Sequence, residues 1–141
     1  MSIFVCLHLH MDETIKYTFC KEERLCYKGG FEELLSSGYS FVSYPLRVVI
    51  RLYPRERKEF PARIAVSVSK KRFKRAVKRN RVKRLVREAY RLNKNILYSR
   101  IPEDKTMDIL FIYLHNEISE FGKIEKAITG AIRKIVVYIE K

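Results

Sequence analysis

Hydrophobic positions along this chain change period several times, and each change marks an expected element. Ile3, Val5, Leu7 and Leu9 alternate with other residues, as in an edge strand or a loose tail, so residues 1–20 read as an N-terminal extension or edge segment. Between Lys21 and Gly38, Phe31, Leu34 and Leu35 fall at i, i+3 and i+4 after a pair of glycines, which predicts a short helix that Gly38 closes. A helix this short must dock its apolar side on something. Ser40–Tyr44 and Leu46–Tyr53 read as strands split by Pro45, and Arg47 and Arg51, four apart, share one face of the second. The stretch Pro54–Pro61 is a charged loop framed by prolines. Ile64, Val66 and Val68 then alternate with Ala65, Ser67 and Ser69, a strand with one large and one small face. Beyond a turn at Ile101–Asp104, the nearly continuous apolar run Asp108–Leu114 predicts a strand covered on both faces. Phe121, Ile124, Ala127, Ile128, Ala131, Ile135 and Ile139 give Ser119–Glu140 the stripe of a long amphipathic helix. With a helix between Ser69 and the turn, the order is αβββαβα. That is an α+β fold, a two-layer α/β sandwich with one mixed sheet, in which a β-α-β unit joins Ile64–Val68 to Asp108–Leu114.

Charge sharpens the middle of this picture. The 141 residues are 47% hydrophobic, enough for one domain with a core, and residues 21–141 are read as that domain. Between Lys70 and Lys94 lie thirteen of the 30 Lys and Arg but one of the 16 acids, Glu88, in a chain of net charge +14. So concentrated a positive field favours a polyphosphate partner. On a helical wheel Val82, Leu85, Val86, Ala89 and Tyr90 form an apolar stripe for the sheet, and Asn80, Arg84, Arg87 and Arg91 fall opposite as a ladder flanked by Lys83 and Lys94. Like charges at i, i+4 destabilise a helix by roughly 0.2–0.5 kcal/mol per pair, so the pattern makes physical sense where an anion binds it. Arg79, Arg81, Arg84, Arg87 and Arg91 outnumber Lys83 and Lys94, and a guanidinium fork grips phosphate bidentately and stacks on bases. The N–H groups opening the helix favour phosphate near Lys78–Arg81. This is the profile of an RNA- or DNA-binding helix.

Other chemistries find less support. The three Asp (12, 104, 108) and the dispersed Glu form no carboxylate cluster of the kind two-metal phosphodiester hydrolysis needs. His115 stands alone at a strand end, where a structural role is the simpler reading. His8 and His10 share one side of a strand but lack a third ligand, and Cys6, Cys20 and Cys26 lie outside metal-ligand spacing, so reduced structural thiols and no bound metal are expected. The apolar runs are too short to cross a bilayer and the start lacks a signal-peptide pattern, which predicts a cytoplasmic protein. A membrane-surface helix is disfavoured because the narrow apolar stripe is needed by the sheet.

The run Ser67-Val68-Ser69-Lys70-Lys71, followed by Ala76-Val77-x-Arg79-Asn80-Arg81-Val82-Lys83-Arg84-Leu85-x-Arg87-Glu88, closely resembles the protein component of bacterial ribonuclease P and its RNR helix. Arg24-Leu25 followed by Phe31 resembles the family's N-terminal block. The resemblance spans about Lys21–Ile135 and is strongest over Ile64–Tyr90. It implies a left-handed β-α-β crossover, and a noncatalytic subunit that binds ribonuclease P RNA and the 5′ leader of precursor tRNA. The implied reaction is endonucleolytic removal of that leader, carried out by the RNA with Mg²⁺, with no protein partner. Residue by residue it implies RNA binding by Lys70, Lys71, Lys78, Arg79, Asn80, Arg81, Lys83, Arg84, Arg87 and Arg91, and a leader cleft that includes Phe31 and Leu35. Gly30 stands where the family has Asp and Leu35 where a second Phe is common, which implies a thinner aromatic wall. The alternative is a ribosomal or general RNA-binding module without leader recognition.

Overall fold

Leu46, Val48 and Ile50 are fully buried, and the residues between them point the other way, so one strand serves two different environments. The computed structural model describes residues 23–24, 28–54 and 61–141 and, within the first helix, the side chains of residue 32 and residues 34–37. Its elements are α1 (Lys28–Ser37), β1 (Tyr39–Ser43), β2 (Leu46–Pro54), β3 (Ala62–Ser67), α2 (Ala76–Tyr98), β4 (Lys105–Tyr113) and α3 (Phe121–Glu140). The order is the expected αβββαβα. The histidines at 8 and 10, the cysteines at 6, 20 and 26 and most of the loop after Pro54 lie outside the described residues.

The sheet runs β1-β2-β4-β3, with β1–β2 and β2–β4 antiparallel and β3–β4 parallel. The parallel pair is the predicted β-α-β unit, and α2 is its crossover. β4 lies between two neighbours and is buried along almost its whole length, which explains its unbroken apolar run. On one face Leu46, Val48, Ile50, Ile64, Val66, Met107, Ile109, Phe111 and Tyr113 meet the stripes of α2 and α3, and this layer is the main core. On the other, Leu34 of α1 covers Val49, Ala65 and Leu110. α1 therefore approaches over β2 and β4 on this face, with Ala65 of β3 at the margin of the cluster. Gly38 makes that approach possible: its N–H donates to Leu34 O at 2.9 Å, and a Cβ there would stand 2.3 Å from Leu34 O and 2.7 Å from Val49 Cγ1. Gly38 thus closes the helix as expected, and the lack of space around it, rather than a left-handed backbone, explains the choice of residue.

One boundary differs from the sequence expectation. The six residues Lys70–Arg75 precede α2: Lys71 N–H donates to Ser69 Oγ, and Arg72 and Phe73 N–H donate to Ser69 O, which folds a turn instead of a first helical turn. At the other end α2 continues past Lys94 to Tyr98 and stops where Ser99, Arg100 and Ile101 bond back to Asn95 O and Leu97 O ahead of Pro102.

Candidate nucleic-acid interface

Helix α2 is built from straight-chain helix formers, and its stripe of Val82, Val86, Ala89, Tyr90 and Leu97 is anchored on the sheet. That anchoring aims the opposite face outward. A cavity of about 650 Å³ runs along it, lined by Arg81, Arg84, Leu85, Arg87, Glu88, Arg91 and, from the segment ahead of α1, Arg24. The arginine ladder is therefore a concave surface with a second wall. The family resemblance marks Arg24 only as part of an N-terminal block. Its place here comes from a parallel bridge between Arg24 and Ile64 at the free edge of β3, a contact across forty residues that no local pattern signals.

One acid interrupts the ladder. Glu88 accepts from Arg91 Nη2 at 2.6 Å and Nε at 3.0 Å, and this bidentate pair holds the Glu88 carboxyl below its ordinary range. Arg81 and Arg84 are exposed, and neither has an ion-pair partner among the described residues. Asn80 is exposed and Lys83 half-buried on the same helix. Arg79 plays a second part: its Nη1 donates to Phe73 O at 2.8 Å and to Lys74 O at 2.9 Å, fastening the preceding turn to the helix. Lys78 lies away from the ladder, in a separate cavity with Arg72 and Arg75. Lys70 and Lys71 are exposed on the turn.

Lys94 corrects the wheel, which placed it at the flank of the RNA face. It is 1% exposed, and its Nζ donates to the buried Glu23 carboxylate at 2.6 Å. Tyr98 OH also donates to Glu23, and Tyr90 OH donates to Tyr98 at 3.5 Å. Lys94 is therefore the bolt that fastens the segment carrying Glu23 and Arg24 beside α2. Burial pushes the Tyr90 and Tyr98 phenols well above their ordinary value.

On the sheet face beside α1 the predicted pairing of Arg47 and Arg51 is observed. Arg47 Nε donates to Ser40 Oγ at 3.0 Å, and the Arg51 guanidinium lies 5.4 Å from the centre of the Tyr53 ring. Arg63 donates to Tyr53 OH, and both donate to Asp108 Oδ1 at 3.1 Å. Desolvation raises the Asp108 carboxyl against the pull of Arg63, and burial with the nearby Asp108 charge pushes Tyr53 up to about 12. Asp108 thus serves this network of strand residues. Phe31 and Leu35 both lie on α1; Leu35 is 59% exposed, and the Phe31 side chain lies outside the described residues. No group of three metal-ligating side chains occurs among the described residues, and no described helix is long and apolar enough to cross a membrane. His115 shares a hydrogen bond of 2.9 Å with Tyr44 OH at the end of the sheet.

Comparison with known proteins bears on this surface. A sequence model of the family described as Ribonuclease P matches residues 19–136. The chain is 42% identical over 126 residues to the ribonuclease P protein component of Porphyromonas gingivalis, across 89% of this chain and 91% of that protein. It is 34% identical over 110 residues to the component from Clostridioides difficile, across 77% and 88% of the two. Among solved structures, the RNase P protein from Thermotoga maritima matches with a TM-score of 0.63 at 26% identity, over 79% of this chain and 96% of that one. The Staphylococcus aureus RNase P protein shares the fold at a TM-score of 0.61 and 23% identity, over 80% and 94%.

Proposed function

The chain belongs to the bacterial ribonuclease P protein family, and from that premise we propose that it binds both the catalytic RNA and the 5′ leader of precursor tRNA. It is a subunit of the ribonuclease P ribonucleoprotein endoribonuclease and acts in tRNA processing, with a ribonuclease P RNA as its partner. The observation that carries the RNA-binding reading is the arginine-lined cavity along α2. Arg24, Arg81, Arg84 and Arg87 converge there, and among the described residues lining the cavity the one carboxylate, Glu88, is engaged by Arg91. Such a surface grips phosphates and offers guanidinium planes to bases. In this reading, which follows the family, the chemistry falls to the RNA in the cytoplasm, with Mg²⁺ held mainly by the RNA subunit.

The leader passes, in this reading, along the flank of α1. Leu35 offers exposed apolar surface on α1, the helix that also carries Phe31, and Arg47 and Arg51 of β2 line the adjacent sheet face with positive charge. The leader accounts for a basic sheet face beside α1, which a general RNA-binding module has no reason to keep. Adding the protein to a bacterial ribonuclease P RNA at low Mg²⁺ is expected to accelerate 5′ maturation of precursor tRNA, with precursor outcompeting mature tRNA. No acceleration at any salt concentration overturns the reading, and equal competition by mature tRNA removes the leader from it.

A further inference from the structure

At the end of the sheet where β3 and β4 finish, two loops meet around a second cavity of about 430 Å³. Arg72, Lys74, Arg75 and Lys78 line one side, and Asn116 and Glu117 the other. The walls are fixed from below. Phe73, 5% exposed, packs its ring 6.0 Å from that of Tyr113, and Arg79 holds the carbonyls of Phe73 and Lys74. Tyr113 OH donates to Glu117 O at 2.6 Å and accepts from Ser119 N–H at 2.9 Å. Arg72 Nη1 donates to Asn116 Oδ1 at 2.9 Å and ties the two walls together. None of the four cations has an ion-pair partner among the described residues.

An aromatic stands next to this charge. Tyr44 is 66% exposed, yet its hydroxyl is pinned to His115 Nδ1 at 2.9 Å and the two rings meet edge-on at 5.9 Å. His115 is the chain neighbour of Asn116. A phenol ring held at its far end and largely exposed is a stacking platform whose ordering cost has already been met in the fold. Neither apolar cluster of the described residues includes it.

We propose that this sheet end is a second RNA site, which takes a backbone phosphate of an unpaired strand in the Arg72–Arg75–Lys78 cavity and stacks a base on Tyr44. The site rests on the RNA-binding reading above but is separate from the arginine ladder. Lys78 and Arg87 lie about 13 Å apart along the axis of α2 and on roughly opposite sides of it, at 1.5 Å and 100° per residue, so no one phosphate bridges them. Charge and ring together favour an unpaired strand over a duplex, whose stacked bases leave no face for Tyr44.

The test measures binding of a short labelled oligouridylate to the full chain by fluorescence anisotropy across a salt series. Tyr44→Ala is expected to weaken binding roughly tenfold without changing the salt slope, because stacking releases no counterion. Tyr44→Phe, which keeps the ring, should retain most of the affinity. Arg72→Ala/Arg75→Ala should lower the slope of log affinity against log salt by about 0.7 for each phosphate no longer neutralised, and Lys123→Ala, an exposed change on α3, should leave it unaltered. The proposal fails if Tyr44→Ala binds as the parent does, if the double variant matches Lys123→Ala, or if polyglutamate competes as well as the oligonucleotide, which would make the cavity a seat for acidic protein segments. Arg84→Ala/Arg87→Ala serves as the reference: if it abolishes binding of the catalytic RNA while the sheet-end variants change nothing, this site is wrong and the family function stands. If neither set matters, RNA binding itself is misassigned.

Discussion

Lys94 sits on the most basic helix of the chain, yet it is withdrawn from solvent and its charge is committed to Glu23. A buried pair of this kind adds little net stability, but removing one partner strands the other, at a cost of about 3–5 kcal/mol. Lys94→Met is therefore expected to lower the urea-unfolding free energy by that amount. Glu23→Gln/Lys94→Met, which removes both charges and keeps an acceptor for Tyr98, should recover most of it with unchanged RNA affinity. A Lys94→Met protein that unfolds normally but binds RNA weakly would return Lys94 to the ladder. Arg84 is the opposite case, exposed and facing the cavity. Arg84→Ala should reduce the salt dependence of RNA binding by about one unit of slope if its guanidinium neutralises one phosphate. Glu88→Gln should instead tighten binding a few-fold, since it removes the carboxylate from the ladder. An unchanged slope means that Arg84 touches no phosphate, and weaker binding by Glu88→Gln would mean that the Glu88–Arg91 pair positions Arg91 for RNA.

Among the elements, α1 is the one most dependent on a single residue. Adding a Cβ at position 38 pushes against the Leu34 carbonyl and Val49, neither of which has room, and overpacking of this kind costs about 1–3 kcal/mol. Gly38→Ala is expected to lower the melting temperature and, because Phe31 and Leu35 ride on α1, to reduce the preference for precursor over mature tRNA. Affinity for the catalytic RNA through α2 should persist, and a joint loss of both would show that α1 serves only stability. The glycine was legible as a cap because helix ends have local signatures, and the strands were legible because Leu46, Val48, Ile50 and Ile64, Val66 keep period two wherever one face is covered. What stayed hidden depends on distant partners. The wheel places Lys94 correctly in angle, but its burial requires Glu23, 71 residues away. The sheet-end cavity requires Arg72 to meet Asn116 across 44 residues, and the turn at Lys70–Arg75 was masked by the same charge that made the whole stretch read as one unit. Periodicity reports which side of an element is covered, and it is silent on what covers it.

At the scale of the whole molecule, the core is held together in part by phenols that must stay protonated. Tyr90 and Tyr98 link α2 to the buried Glu23, and Tyr53 joins β2 to Arg63 and Asp108, so all three phenols have folded-state values above their ordinary one near 10. The unfolded chain gives up these protons first. Between roughly pH 10 and 12 it binds fewer protons than the folded protein, so the unfolding free energy falls as pH rises; the stabilisation is fully present below about pH 10 and is lost as pH climbs toward the folded-state values. Each buried phenol contributes at most about 1.4 kcal/mol per pH unit, and the more exposed Tyr53 less because water screens it. Urea titrations across this range should show that decline, and Tyr98→Phe should make it shallower by about one proton even though its baseline stability is lower. Tyrosinate absorbance offers an independent check, since the folded protein should hold back a fraction of its nine tyrosines until it unfolds. Ionisation of all nine near pH 10 with the fold intact would mean that the Glu23–Tyr98–Tyr90 cluster is open to water, and Lys94 would then no longer count as the bolt that holds Arg24 beside the RNA-binding helix.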